Sequence, residues 1–502
     1  MFRSKKVLIL LVVLLSLTVA LSGCSGKKDA LVVAQGSDAK TLDPHGSNDQ
    51  PSSRINSQIY NTLLDMDENM EIGPGLAESW KKIDDETWEF KLVEGVKFHN
   101  GEELKASDVK FTFERMMESS EVAHIVEALE SVETPDDYTV ILKTEYPFGP
   151  LLAHLAHPAS SILNEKAVTE AGDDYGQKPV GTGPYKLENW ESGDSVTLVK
   201  FDDYFGEPAK TGKVIFQNIE EGNNRTIGLE SGELDIAYDI EPIDLQKVRD
   251  HESLELIEEP SLSTSYIGFN TEKEPFDDPL VRKALNYAVD VDEIIDVVIE
   301  GAGHKAVSPI NDDVFGFNSD LEGYEYDPEK AKELLKEAGY PDGFETTLWT
   351  NDNPVRGRIT EIVQAQLKEV GIKVEIDTLD WAAYLDRTAQ GEHEMFILGW
   401  VAVTGDADYG LYPLFHSSQH GGAGNRTFYT NKKVDKLLEK GKKSVDEDER
   451  LKAYHEAQEI IVDEAPQLFL YFQTQNAGLQ NNVKGFKLHP AGHHLLDKVE
   501  ID

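Results

Sequence analysis

The stretch Arg358–Ile376, "RITEIVQAQLKEVGIKVEI", decides the fold class. Ile359, Ile362, Val363, Leu367 and Val370 recur at helical spacing and fall on one face, so its first part is an amphipathic helix. Gly371 follows as a C-cap, because glycine takes the left-handed backbone without a Cβ penalty. Ile372, Val374 and Ile376 then alternate with polar residues, the period of a half-buried strand. A helix that leads directly into a strand packs on the sheet that the strand joins. The same grammar recurs on either side. "DPEKAKELLKEAGYPDGF" (Asp327–Phe344) reads as a helix starting after Asp327 and stopping at Gly339, with Pro341 beyond. Trp88, Phe90 and Leu92 alternate in "ETWEFKL" (Glu86–Leu92), behind the acidic turn Asp84–Glu86. "KPVGTGPYKL" (Lys178–Leu187) reads as a crossing between lobes. With no fixed-period repeat, the chain is α/β, with mixed sheets in more than one lobe.

A chain of 502 residues is too long for one ordinary core and implies two or three lobes. Asp and Glu number 93 against 48 Lys and Arg, a net charge of −45 that repels nucleic acid and anionic lipid head groups and excludes a role on either. The acids are scattered, and 20 Phe, 18 Tyr and 6 Trp are more aromatic content than a disordered acidic chain carries, so the chain folds. Its one cysteine stands in "LSGCSGKK" (Leu21–Lys28). Arg3, Lys5 and Lys6 precede an apolar run, Val7 to Leu21, that is too short for a membrane span and suits a secretory leader. The ending Leu21-Ser22-Gly23-Cys24 resembles the bacterial lipobox. That resemblance implies cleavage ahead of Cys24 and a diacylglycerol on its thiol; an ordinary leader with a chance cysteine is the alternative. With Cys24 acylated, no thiol remains for a disulfide, a nucleophile or a metal.

Catalytic and metal templates fail. There is no G-x-S-x-G elbow and no Walker A sequence. His393-Glu394 and His455-Glu456 each lack the second histidine of a zinc-protease helix. "GTGPYK" lacks the third glycine of a dinucleotide loop and reads as a turn. Adjacent histidines in a strand point to opposite faces, so His493 and His494 are expected as two partly exposed side chains near the chain end rather than a metal site. The Asn-Arg-Thr sequons at Asn224 and Asn425 mean little behind a bacterial leader. Neither catalysis nor a cofactor is expected.

Three further blocks carry a family resemblance. "GLAESWKKIDDETWEFKLVEGVKFHNGEELKASDVKFTFERMM" (Gly75–Met117), "PVGTGPYKLENWESGDSVTLVKFDDYFG" (Pro179–Gly206) and "PFDDPLVRKALNYAVDVDEII" (Pro275–Ile295) resemble, in order, blocks of the family 5 extracellular solute-binding proteins. These are the peptide-, nickel- and glutathione-type receptors of ABC importers. The resemblance implies a periplasmic-binding-protein-like fold (type II, cluster C): two main lobes around a hinge plus an inserted lobe, with ligand held between lobes I and III. The implied division is leader 1–23; tether 24–30; lobe I from 31–60, 179–272 and 471–502; lobe II 61–178; lobe III 273–470. It further implies a monomer held to the membrane by its lipid alone, on the extracytoplasmic face, delivering its ligand to a permease and ATPase.

Specificity is read from "GWVAVTGDADYGLYPLF" (Gly399–Phe415). Peptide receptors of this family place an aspartate about three residues after the tryptophan to pair with the α-ammonium. Here that position is Val403, and the next acids are Asp406 and Asp408. "TGDADYG", "EAGYPDGFETTLWT" (Glu337–Thr350) and "TLDPHGSNDQPS" (Thr41–Ser52) look more like the glutathione-importer branch. Asp406 or Asp408 is a candidate for the ammonium, or else a loop acid that caps the following turn. Arg356, Arg358 and Arg426 are candidates for ligand carboxylates, since a guanidinium fork matches them bidentately; each also reads as an ordinary surface residue. Trp400, Tyr409 and Asn353 complete the candidate set, with core packing the alternative for Trp400. The expected cargo is a dipeptide, an oligopeptide or glutathione. A nickel chelate or haem, a sensing lipoprotein, and a surface hydrolase are the other classes.

Overall fold

The computed structural model describes residues 30–422 and 424–502. The leader, Cys24 and nearly all of the tether lie outside them. Two long strands, Leu254–Phe269 and Gln467–Gln480, pair antiparallel in the middle of an eleven-stranded sheet. Gln467–Gln480 continues on one side to Ile236–Tyr238, Leu31–Gln35, Lys213–Asn218, Ser195–Lys200 and Tyr185–Glu191. Leu254–Phe269 continues on the other to Met395–Val401, Glu345–Asn351 and Lys373–Leu379. The central ladder shifts register between Pro260 and Thr264. Pro260 has no amide to donate, and the Ser261 hydroxyl bridges to the Gln473 carbonyl at 2.8 Å. Ser263–Phe269 pair with Val401–Met395 on the other side of the same strand.

In that lobe both sheet faces are covered, and Met395–Leu398 are buried without alternation, as in strands sandwiched between layers. Ile267, Phe269 and Ile397 pack with Ile359, Val363 and Leu367 of the helix Pro354–Glu369; Tyr266, Phe396 and Leu398 pack on the opposite face with Leu411, Leu414 and Tyr454. Asn353 caps the helix by accepting from the Arg356 amide, Gly371 ends the turn after it at φ +90°, and the strand Lys373–Leu379 follows. The helix Pro328–Glu337 starts after its cap Asp327. The inserted unit is a separate four-stranded antiparallel sheet, Ala77–Lys82, Thr87–Leu92, Thr139–Thr144 and Leu129–Asp136. Val109, Phe113 and Met116 of the helix Ala106–Met117 close its core against Phe90, Leu92, Val140 and Leu142.

The return from this unit, Lys178–Leu187, is clamped rather than free. The Gly183 amide donates to the Ile59 carbonyl at 2.8 Å, and His99 donates its amide to Gly181 at 2.9 Å. A Cβ on Gly181 would lie 2.0 Å from the Ile59 carbonyl oxygen, a backbone atom that cannot swing aside. Gly181→Ala is therefore expected to destabilise the fold by about 3 kcal/mol or more in urea denaturation; an unchanged midpoint would show that the segment moves freely.

Candidate functional site

The segment after Trp400 builds the site. The strand Met395–Val401 ends, the chain turns through Gly405 at φ +64°, and Asp406 caps the helix Ala407–Phe415 by accepting from the Asp408 amide. Val403 is partly buried apolar packing, with no charge to offer. Tyr409, 3 % exposed, is where three parts of the chain meet. Its carbonyl accepts from the Trp400 indole at 2.9 Å, and the two rings lie 5.4 Å apart. Its hydroxyl accepts from Asn48 of the N-terminal segment at 2.7 Å and lies 3.2 Å from His157 Nε2 of the inserted unit. His124 and His154 flank the ring at 6.1 Å each.

The two sequence-predicted acids differ in circumstance. Arg450 holds both Asp406 oxygens at 2.8 and 2.7 Å, and the isolated bridge to Phe315 pins the Asp406 backbone. Burial pushes the Asp406 carboxyl up, and Arg450 pulls against it. Asp408 is buried with one oxygen 3.2 Å from His154 Nε2 and the other without a partner among the described residues. Arg356 donates to Asn351 Oδ1 at 3.0 Å, with its guanidinium 5.5 Å from the Trp381 ring centroid. Arg358 stands 3.8 Å from Glu241, reaching from the C-terminal lobe towards the N-terminal one. Arg426 is buried and bonds only the Thr388 hydroxyl through Nε, at 3.2 Å. The Asn353 side chain is occupied in capping.

The sequence reading missed a pair contributed by the N-terminal lobe. Arg54, on the helix Gln50–Ile59, binds both oxygens of Asp239 at 2.8 and 3.3 Å and donates Nε to the Gly492 carbonyl. Asp239 follows the strand Ile236–Tyr238 with φ +54°, and its side chain stays 41 % exposed beside an Arg54 side chain only 9 % exposed. Burial pulls its carboxyl up, but Arg54 and Arg225 outweigh it and hold it below the usual range, so it stays charged. The parallel strands Leu31–Gln35, Lys213–Asn218 and Ile236–Tyr238 all end on this side, the carboxyl edge where open α/β sheets bind ligands. The one signal in the sequence was an Asp closing an apolar strand.

Of the terminal histidines, His493 is partly exposed, as expected, and His494 is not. His494 is 2 % exposed and accepts from the His489 amide through Nδ1; both nitrogens of His493 are enclosed without a partner. The segment is an irregular loop folded over Arg54 and Tyr238, so strand alternation does not apply. Among the described residues no three His, Cys, Asp or Glu side chains are grouped to hold a metal.

Burial lowers His45 and His493 to about 3 and His124 to about 4, so below pH 6.5 the unfolded chain binds protons that the folded one refuses. Stability is fully present above pH 6.5 and is lost as pH falls towards 4, each such histidine adding a slope of up to about 1.4 kcal/mol per pH unit. His493→Gln is expected to flatten the curve of unfolding free energy against pH by one histidine's share, and an unaltered slope would show that His493 titrates alike folded and unfolded.

Residues 71–422 match the model of the middle region of the bacterial extracellular solute-binding proteins, family 5. The glutathione-binding protein GsiB of Salmonella typhi is 35 % identical over 483 residues, covering 94 % of each chain. Among solved structures, the ABC transporter-associated periplasmic binding protein DppA of Helicobacter pylori, in complex with peptide STSA, aligns with a TM-score of 0.89 at 34 % identity over 94 % of this chain and 98 % of that one. The oligopeptide-binding protein AppA of Bacillus subtilis, in complex with a nonapeptide, aligns at 0.87 with 29 % identity, over 94 % and 99 %. The α/β architecture around two long shared strands is thus that of the type II periplasmic binding proteins, and the chain belongs to family 5 of the bacterial extracellular solute-binding proteins.

Proposed function

We propose that the protein is a lipid-anchored, extracytoplasmic receptor that closes over a short peptide, glutathione among the candidates, and delivers it to an ABC permease and its ATPase. The observation that carries this reading is Asp239. A carboxylate fixed in a left-handed backbone, braced by a buried guanidinium and still open at the carboxyl edge of the sheet, suits an α-ammonium. It offers the charge that Val403 does not. Asp408, with one unpartnered oxygen, is the second acid; Asp406 is committed to Arg450. Tyr409 and Trp400 would line the peptide backbone, while Arg358 is available to a carboxylate and Arg356, tied to Asn351, adds positive charge nearby. The ligands for which these relatives are named, glutathione and peptides, are of this zwitterionic class.

A nickel–chelate cargo is the second reading, favoured by His493, whose unpartnered ring lies 6.4 Å from that of His489. Calorimetry separates the two. Glutathione and tri- to pentapeptides are expected to bind, and Asp239→Asn to weaken them by about 10–100-fold, the worth of a charged hydrogen bond. Thermal unfolding of the variant checks that Arg54 has not been left to unfold the lobe. A panel in which nickel–histidine binds and no peptide does would refute the peptide reading. Cys24, outside the described residues, is tested separately: Cys24→Ser is expected to move the protein from the membrane fraction to the soluble one, and an unaltered partition would exclude the lipid anchor.

A further inference from the structure

Five arginines are buried in the described residues; three have both terminal nitrogens occupied, and Arg450 has one. Arg54 and Arg450 hold carboxylates, Arg225 holds the carbonyls of Ile219, Glu220 and Asp239, and Arg282 those of Phe276, Asp277 and Glu464. Arg426 is the exception. It is 8 % exposed, its side chain makes a single hydrogen bond, from Nε to Thr388, and no carboxylate lies within ion-pair distance among the described residues. A largely buried guanidinium left in that state carries a desolvation cost that only distant charges offset.

Beside it stands a second unoccupied donor. Tyr266 is 2 % exposed, and its hydroxyl has no hydrogen-bond partner among the described residues, whereas that of neighbouring Tyr384 donates to the Ile397 carbonyl at 2.6 Å. Thr388, which accepts from Arg426 Nε, donates its hydroxyl to the Tyr384 carbonyl at 2.7 Å, and Tyr384 belongs to the same apolar cluster as Tyr266 and Phe396; there the positive charges of Arg426 and Arg356 oppose the effect of burial on both phenols. The acids that act on Arg426 do so from a distance: Glu121, on the inserted unit, and Asp386. Thr264 pairs with Trp400 and Tyr266 with Leu398, so Tyr266 lies on the same sheet face as Trp400 and about 7 Å further along. The cluster is thus an inward extension of the region that Trp400 and Tyr409 line.

We propose that Arg426 and Tyr266 form a carboxylate-binding subsite that selects short ligands carrying an accessible carboxylate; this rests on the peptide reading above. A carboxylate there accepts a forked pair from the guanidinium and a third hydrogen bond from the phenol, the set of donors that buried carboxylates require. The same arrangement rejects amidated or esterified ligands, which would leave the guanidinium enclosed and unpaired. Arg356, 5.5 Å over Trp381 and tied to Asn351, strengthens the local positive field without being freed to move.

The test is calorimetry of glutathione and its dimethyl ester against the wild type, Arg426→Gln and Tyr266→Phe. Glutathione is expected to bind Arg426→Gln about 10–100-fold more weakly and Tyr266→Phe several-fold more weakly, while the ester binds all three equally and less tightly than glutathione binds the wild type. Removing an unpaired buried cation should leave the melting temperature of Arg426→Gln unchanged or raised. A fall in melting temperature with equal weakening of both ligands makes Arg426 a structural residue and overturns the subsite. Glutathione bound equally by all three proteins also overturns it and leaves the peptide reading standing. If the wild type binds neither ligand, glutathione is not the cargo, the peptide panel above decides the peptide reading, and acetate decides the subsite. A rise in melting temperature with acetate that is absent from Arg426→Gln keeps it, and an equal response removes it.

Discussion

The antiparallel ladder between Leu254–Phe269 and Gln467–Gln480 is the constraint from which the rest of the molecule follows. Every strand of the N-terminal half-sheet is joined to every strand of the C-terminal half-sheet through these two. Ladder bonds resist bending in proportion to their number, so a rotation between halves concentrates where the pairing lapses, between Pro260 and Thr264. A proline there removes one donor, and the Ser261 hydroxyl supplies a side-chain bond that tolerates rotation better than a backbone one. The candidate side chains sit on both sides of that lapse. Asp239 and Arg54 belong to one half, Trp400, Asp408 and Tyr409 to the other, and Arg358 reaches Glu241 across it.

Charge is handled differently at each of these positions, and the differences sort structure from recognition. Asp406 and Arg450 are both buried and satisfy one another; removing either would strand the other, which is the behaviour of a pair that holds a turn in place. Arg54 and Asp239 are asymmetric, with a buried cation and a carboxylate 41 % open. A carboxylate has more lone pairs than one guanidinium can occupy, so this arrangement keeps acceptor capacity open to solvent. Arg426 is the limiting case, a cation with no anion. The sequence offered Asp406, Asp408, Arg356, Arg358 and Arg426 as equals; only their partners distinguish them.

Much of the fold was legible in advance because it rests on local rules. The helix Pro354–Glu369 and the strand after Gly371 follow from a change of hydrophobic period inside nineteen residues, and Asp327 and Asn353 announce their helices as caps. "ETWEFKL" forms the strand Thr87–Leu92 for the same reason. The site was less legible because its contacts join distant segments. Arg54 meets Asp239 across 185 positions, and Asn48 meets Tyr409 across 361. Side-chain roles also shift once partners are known: Asn353, expected among the ligand residues, is engaged as a cap. His494 was misread because alternation was assumed for a segment that is a loop, and a loop held down by Gln50, Arg54 and Gln58 can bury its ring while His493 stays partly exposed.

Tyr409 illustrates how far hydrogen-bond accounting carries. The His157 Nδ1 accepts from the Ala159 amide at 3.0 Å, which leaves the ring proton on Nε2, and burial holds this histidine well below its usual range and therefore neutral. Nε2–H then donates to the Tyr409 oxygen, as does the Asn48 amide nitrogen. Both acceptor sites of the phenol are filled, and burial keeps the phenol protonated. Its own hydrogen has no acceptor among the described residues. A phenol held by two donors from two distant parts of the chain, with its proton still to give, is oriented by the fold itself. A peptide carbonyl or carboxylate is the natural acceptor for that proton, and in its absence the three lobes meet around an incompletely satisfied group. On the proposed peptide reading, a ligand acceptor laid against this phenol would complete its hydrogen bonding and so stabilise the junction of the three segments.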